Sequence, residues 1–346
     1  MAHGQRHNRY DASPFSTKVK DTLALKGIPH SRVDVAFMPP RPEISTLLGV
    51  SYRRIPVLAI GSDVYCDTGL IASALERRFP PSEGYYTLFP NRKGTKSSDV
   101  GLVKALSMYY ADRVLLQLAA DSFPFNQFPK AFVEDRNAFF SPTKPIDLTQ
   151  MASRQPEVKS AISSHPHWDL IPGLKTLVEE QLADGREWLL DTEAPGLADI
   201  SFHFVFEWLQ GPQFRALHDV LDAQRYPKSL AWLSNMTAYI DSRQKTGASA
   251  FENITGEQAA KLIGSSPCED VSVVGFDNVE AAHLGVKLGE DVSIEPQDTG
   301  KIPTIGKLVA LNREEAVIET RGTTGAVIRC HFPRLNFSIK KAHAKV

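Results

Sequence analysis

The chain has 346 residues, a formal net charge of −1 and three cysteines. That length predicts two or three domains. The near-neutral charge leaves no electrostatic footprint for nucleic acid or an anionic membrane, and a sparse, odd cysteine count argues against a secreted disulfide scaffold. No N-terminal apolar run reads as a signal peptide, and none reaches the about 18 residues of a bilayer span. A cytoplasmic protein without membrane or nucleic-acid partners is therefore expected.

The first predicted element is a strand over Gln5 to Tyr10, polar for a central position. Ser13-Pro14-Phe15-Ser16 then leads into an amphipathic helix with apolar positions Val19, Leu23 and Leu25 and the stop signal Lys26-Gly27. Pro14 suits the first helical turn and Gly27 the position just past the end, so Ser13 sits at the tip of a helix N-terminus. Next come a strand (His30 to Val35), a Pro-rich loop (Met38 to Pro42), a short helix, a strand (Ile55 to Ile60), a hairpin strand and a helix from Thr68 to Arg78. The order βαβαββα is the thioredoxin-like arrangement. A strand that begins at Ile55-Pro56 leaves the Ile55 backbone able to pair with a bound peptide as with one more strand. The N–H groups at Asp67-Thr68 suit a carboxylate, and the Asp67 side chain suits an ammonium. A γ-glutamyl tripeptide meets all three demands.

Beyond about residue 92 the pattern turns helical. Ser98 to Ala120 is one long amphipathic stretch, followed by breaks at Phe123-Pro124 and Ser141-Pro142 and a helix from Trp168 to Asp184 that stops at Gly185. Two further helices are read over Ser229 to Ser242 and Thr255 to Ile263, the latter capped by Thr255. Tyr109, Tyr110 and Arg113 lie on the long stretch, where they either wall an electrophile pocket or pack in the core. Phe123, Phe125 and Phe128 either line that pocket or cover helix ends. From about Cys268, short runs at strand period (Val271–Val274, Val292–Ile294, Gly306–Leu311, Ala316–Thr320, Ala326–Cys330) alternate with turn residues. They suggest a small antiparallel barrel or sandwich, with Phe332 to Leu335 returning along its edge. His283 and His331 read as isolated, Cys66 as a small core residue, and no metal set is apparent. The expected division is 1–92, 93–264 and 265–346.

Taken together, Ser13-Pro14-Phe15, Lys26-Gly27-Ile28, Arg54-Ile55-Pro56-Val57-Leu58 and Cys66-Asp67-Thr68 resemble the glutathione-binding domain of a soluble glutathione S-transferase. The tau class carries S-P-F, K-G-I, K-K-I-P-V-L and C-E-S at these places, and omega-class enzymes carry Cys at the place of Ser13. With its extra C-terminal segment the whole chain resembles transferase-like proteins of filamentous fungi. The resemblance implies a thioredoxin-like domain followed by an all-α domain, a homodimer, and glutathione as co-substrate without a metal. It implies that Ser13 hydrogen-bonds the glutathione sulfur, Ile55 pairs with the cysteinyl backbone, Asp67 and Thr68 hold the γ-glutamyl group, and Arg41 and Arg54 stand near the glycyl carboxylate. It further implies that Pro195 to Ile200 is the family's buried helix start, with Asp199 as cap and Gly196 where Ser or Thr is usual. Asp67 is shorter than the usual Glu, and Arg for Lys keeps charge while changing geometry.

The implied chemistry follows from acidity. A free thiol titrates near about 8.5, and the thiolate is the nucleophile. A charge-assisted hydrogen bond of about 1.5–3 kcal/mol and a helix N-terminus of roughly 0.3–1 kcal/mol lower that value by about one to three pH units. Ser13 then acts as a donor toward a hydrophobic electrophile's attacking thiolate, for conjugation or isomerisation, in detoxification or secondary metabolism. The competing expectation is a non-catalytic binding or interaction module that works through the C-terminal β segment.

Overall fold

The computed structural model describes residues 13–121, 123–141, 146–149, 176–214, 223–224, 226–245 and 251–342. The strand expected at Gln5 to Tyr10 lies outside these residues, as do the first eight residues, 168–175, of the Trp168 to Asp184 helix. Helix α1 spans Pro14–Lys26, with Ser13 as N-cap and Gly27 in the left-handed conformation at φ 70°. Strand β1 (His30–Arg32), helix α2 (Pro42–Ser45), hairpin β2 (Val57–Ile60) and β3 (Asp63–Cys66), and helix α3 (Thr68–Arg78) follow in the expected order. The long helix α4 covers 100–121 and widens to π winding over Leu106–Leu115. Helices α5 (Lys130–Phe140), α6 (Leu197–Leu209) and α7 (Pro227–Lys245) complete the helical part as described. Its core gathers around Phe202, Phe204, Phe206, Trp188 and Trp232.

Asp199 is buried at the start of α6, where it accepts from the N–H groups of Gly196 and Leu189, both at 3.0 Å, and from the Trp232 indole at 3.1 Å. Gly196 replaces a capping hydroxyl for a steric reason: a Cβ there would stand 2.8 Å from Pro90 and 2.9 Å from the Leu88 carbonyl oxygen.

The last part of the chain holds β4 (Phe251–Asn253), α8 (Gly256–Ser265), α9 (Asn278–Leu284) and strands β5 (Asp291–Pro296), β6 (Thr304–Leu311), β7 (Glu315–Arg321), β8 (Val327–Pro333) and β9 (Phe337–Lys341). These strands do not close into a barrel. They form an open sheet in the order β2-β3-β8-β7-β6-β5-β9, joined to the N-terminal hairpin by parallel pairing of β3 with β8. Val64 of β3 lies opposite Cys330 of β8. Strand β1 pairs in parallel with β4 in a separate two-stranded sheet. The run Val271–Val273 is a single 3-10 turn rather than a strand, because the Asp270 side chain caps Ser272 N–H. Phe332 and Pro333 end β8, and the edge strand is β9.

One hydrophobic core serves both ends of the chain. Ile44, Leu48, Val50 and Tyr52 from the N-terminal part pack with Ile294, Leu308, Ile318 and Phe332 from the C-terminal part. Each large apolar side chain so buried contributes about 1.5–3 kcal/mol. The two parts approach to backbone distance: a Cβ on Gly322 would lie 2.0 Å from the Leu47 carbonyl oxygen, and one on Gly49 (φ +71°) 2.4 Å from that of Arg321.

A buried charge network crosses the same seam. His331 on β8 contacts Asp63 of β3 at 3.1 Å and Glu315 of β7 at 3.0 Å. Arg77 of α3 bonds Glu315 at 3.0 Å and Glu269 at 2.9 Å. His331 is thus far from isolated. Burial alone pushes its imidazole down, but the Asp63 and Glu315 carboxylates outweigh burial and hold its pKa above the ordinary value. A raised folded pKa contributes stability that is complete below the unfolded value of about 6.5 and lost as pH rises through the folded value. His331→Leu is expected to lower unfolding free energy by about 3 kcal/mol, as when one partner leaves a buried pair. In urea titrations the deficit should shrink as pH rises through the folded pKa of His331; a deficit that grows in that interval would contradict the assignment.

Candidate active site

A cleft of about 1540 Å³ opens where α1, α4, α5, the loop before β2 and the C-terminal sheet meet. Ser13, Phe15, Arg41, Arg54, Ile55, Asp67 and Arg113 all line it. The structure brings these expected residues together. Pro56 follows Ile55 through a cis peptide bond and leads directly into β2. Thr68 is buried beneath the cleft rather than on its wall, and its hydroxyl donates to Asp112 at 3.2 Å. Tyr109 is 53% exposed and Tyr110 stacks on Phe202 at 5.6 Å, so neither lines the cleft.

Ser13 is 6% exposed, and its hydroxyl oxygen accepts from Ser16 N–H at 3.4 Å. That cap uses an oxygen lone pair and leaves the hydroxyl proton available to donate. Asp67, which also lines the cleft, takes φ 77° at the head of α3, and its carboxylate accepts from Gly69 N–H at 3.0 Å. Burial, followed by the nearby Asp112 carboxylate, pushes Asp67 above the ordinary range; Gly69 N–H, Arg54 and Lys18 pull it back. A cationic partner would reverse that rise. Behind the wall, the buried Lys18 ammonium binds Asp112 at 2.7 Å and lies 5.6 Å from the Phe204 ring centre, tying α1 to α4 and α6. Gly69 lets α3 approach α4 closely, since a Cβ there would stand 2.8 Å from Met108.

The two arginines carry different loads. Arg41 is buried and donates to the carbonyls of Ala36, at 2.7 Å, Phe37 and Arg53, so it braces the loop that leads to Ile55. Arg54 pairs with Asp298 and donates to the Thr299 carbonyl at 2.5 Å. Asp298 sits between β5 and β6, so the C-terminal sheet supplies a carboxylate to this wall. Sequence reasoning missed Asp298 because nothing local marks it; the pairing depends on the folding back of a segment far along the chain. Arg53 bonds Asp135 of α5 and lies 5.4 Å from the Phe139 ring centre.

Much of the remaining lining is aromatic. Phe123, Phe125, Phe128 and Phe132 line the cleft and also pack on one another, with ring centres 4.7 Å apart for Phe123 and Phe128. Trp208 stacks on Phe123 at 6.0 Å. Cys66 is fully buried in β3 and burial holds its thiol well above the ordinary value, so it is a packing residue. Burial likewise pushes Cys330 up to about 12.

Residues 9–83 match the family described as glutathione S-transferase, N-terminal domain, and residues 115–245 match a domain of unknown function, DUF7962. The N-terminal unit is thus a glutathione S-transferase N-terminal domain. The fold as a whole is similar to that of a GST-like protein from Pseudomonas syringae, with 23% identity, 96% of this chain and 97% of that chain covered, and a TM-score of 0.65. A beta-etherase from Sphingobium sp. strain SYK-6 aligns at 17% identity over 67% of this chain and 95% of its own, TM-score 0.43. A tau class glutathione S-transferase from mango, Mangifera indica, aligns at 14% identity over 72% and 93%, TM-score 0.41. No curated protein sequence matches the chain. Among the described residues no helix is long and apolar enough to cross a membrane.

Proposed function

We propose that the protein is a glutathione transferase in which the Ser13 hydroxyl stabilises the glutathione thiolate for attack on a hydrophobic, aromatic electrophile. The observation that carries this reading is the convergence of Ser13, Ile55 and Asp67 in one cleft whose lining also carries a cluster of phenylalanine rings. The γ-glutamyl ammonium would pair with Asp67, and its carboxylate would lie at the α3 N-terminus. The cysteinyl backbone would pair with Ile55. The sulfur would then stand near Ser13, where the hydroxyl proton and the α1 N-terminus both favour the anion. With serine and not cysteine at this place, glutathione mixed disulfides are disfavoured, so the thiolate adds to carbon. Conjugation leaves the new C–S bond in place; isomerisation breaks it again after the double bond has shifted.

A second reading, a non-catalytic module of the same fold, is favoured by one observation. Both arginines that the resemblance places near the glycyl carboxylate are already engaged, Arg41 by backbone carbonyls and Arg54 by Asp298.

Calorimetric titration with reduced glutathione separates the two. Binding that Asp67→Ala weakens at least about tenfold, the value of one charge-assisted hydrogen bond, supports the first reading; no binding to folded protein overturns it. Ser13→Ala is expected to raise the pKa of the bound thiol by about one to two units, a loss of roughly 1.5–3 kcal/mol, followed by thiolate absorbance, while glutathione affinity changes little. An unchanged thiol pKa would remove Ser13 from the mechanism. Asp298→Ala should tighten glutathione binding about fivefold, because a partly exposed ion pair of roughly 1 kcal/mol no longer competes for Arg54. Unchanged affinity would mean that the glycyl carboxylate does not reach Arg54.

A further inference from the structure

Asp21 of α1 meets His203 and Glu207 of α6 at the edge of the cleft. One potential ligand atom from each lies within 4.8 Å of the other two. His203 Nδ1 stands 3.8 Å from Asp21 Oδ2 and 3.9 Å from Glu207 Oε2. Asp21 and His203 are each 2% exposed, and Asp21 Oδ2 and His203 Nδ1 are buried without a hydrogen-bond partner.

The tautomer of His203 is set from its far side. The Thr237 hydroxyl donates to the Leu233 carbonyl at 2.9 Å, so toward His203 Nε2, 2.9 Å away, it accepts. Nε2 therefore carries the ring proton, and Nδ1 turns a lone pair toward two carboxylates. Asp21 Oδ2 and His203 Nδ1, two buried acceptors 3.8 Å apart, repel unless a positive or donating group lies between them; the Glu207 carboxylate, 44% exposed, reaches the same point from the cleft side. Lys20 does not supply it, since its ammonium stands 3.9 Å from the other Asp21 oxygen and points toward solvent-accessible cleft.

We infer that Asp21, His203 and Glu207 hold one divalent transition-metal cation, with zinc the best match to the donor set. One imidazole nitrogen and two carboxylates suit zinc and its first-row neighbours, whereas calcium takes six to eight oxygens, roughly, and magnesium an octahedral oxygen shell. Ligands about 2.0–2.2 Å from a tetrahedral zinc lie roughly 3.3–3.6 Å apart, so the two separations from His203 Nδ1, 3.8 and 3.9 Å, need to close by only a few tenths of an ångström, while Asp21 and Glu207 start within 4.8 Å of each other. Thr237 plays the supporting part that ligating histidines require, taking the second ring proton and fixing the ring plane. Glu207 and Lys20 line the cleft, which gives the ion a way in and leaves its remaining coordination position for water or a ligand group. Spacing along α6 places His203 and Glu207 one turn apart on the same face; Asp21 completes the set only through the packing of α1 on α6.

The test uses the full-length chain stripped with a chelator and titrated calorimetrically with zinc chloride, with cobalt chloride absorption as a second probe of the same site. One saturable equivalent per chain is expected, with cobalt bands of low-symmetry nitrogen and oxygen ligation. Glu207→Gln and Asp21→Asn should each weaken zinc binding at least tenfold, and Glu207→Gln should do so without moving the metal-free unfolding midpoint. A shared proton or a single water between the three residues predicts no saturable equivalent, which would overturn the inference. Equal zinc binding by the wild type and both variants would overturn it too, by placing the ion on other histidines or on Cys268. Neither readout depends on glutathione, so this site stands or falls separately from the proposed reaction.

Discussion

Asp63 is an anion on a strand with no exposed surface, and it is held there by His331 on the strand beside it. An unpaired carboxylate at that depth would cost several kcal/mol. Once His331 is in place, Glu315 and Arg77 extend the network, and Glu269 N–H closes on the second Asp63 oxygen at 2.5 Å. Such a network specifies register as well as strength. A slip of one residue along β8 would turn His331 to the opposite face of the sheet and take the imidazole away from the buried Asp63 and Glu315 carboxylates. The apolar contacts between Val64, Ile318 and Phe332 would tolerate more misplacement than the charges do.

That seam also decides what the cleft is made of. Once β8 is fixed against β3, the connection between β5 and β6 is carried to Arg54, and Gly300 N–H reaches the Phe139 carbonyl of α5 at 2.8 Å. A ring carbon of Phe139 lies 2.6 Å from where a Gly300 Cβ would stand, so only glycine fits. Helix α5, the Arg41-braced loop and the C-terminal sheet therefore share one wall. Arg54 of the N-terminal domain is joined through Asp298 to the connection between β5 and β6.

Local signals were legible wherever one or two residues fix a backbone choice. Pro14 and Gly27 bound α1, Thr255 and Gln258 cap α8, and Asp67 heads α3 in the manner their chemistry demands. Asp199 was readable as a cap, but the exclusion of a hydroxyl at position 196 by Pro90 was not, since it depends on a chain crossing. The short helix α9 escaped notice although Asp277 and Gly285, at φ 67°, bracket it. Its seven residues carry too few apolar positions for a period to show. Alternation correctly marked β5 to β8 as strands. It could not tell a closed barrel from an extension of the N-terminal sheet, because pairing partners are not written in alternation. The candidate site residues Ser13, Ile55 and Asp67 were visible because each sits at or next to an element boundary. Asp298 was not, since its role exists only across the seam.

The parallel pairing of β3 with β8 also sets a problem of timing. His331 lies 268 residues after Asp63 in the chain. At a synthesis rate of about 5–20 residues per second, β3 waits roughly a quarter to a whole minute for its neighbour. During that interval one side of the hairpin is an unsatisfied sheet edge, the kind of surface that recruits strands from other molecules. Asp63 puts a carboxylate on that edge, and Arg78 of α3, only 15 residues on, reaches it at 3.4 Å long before His331 is made.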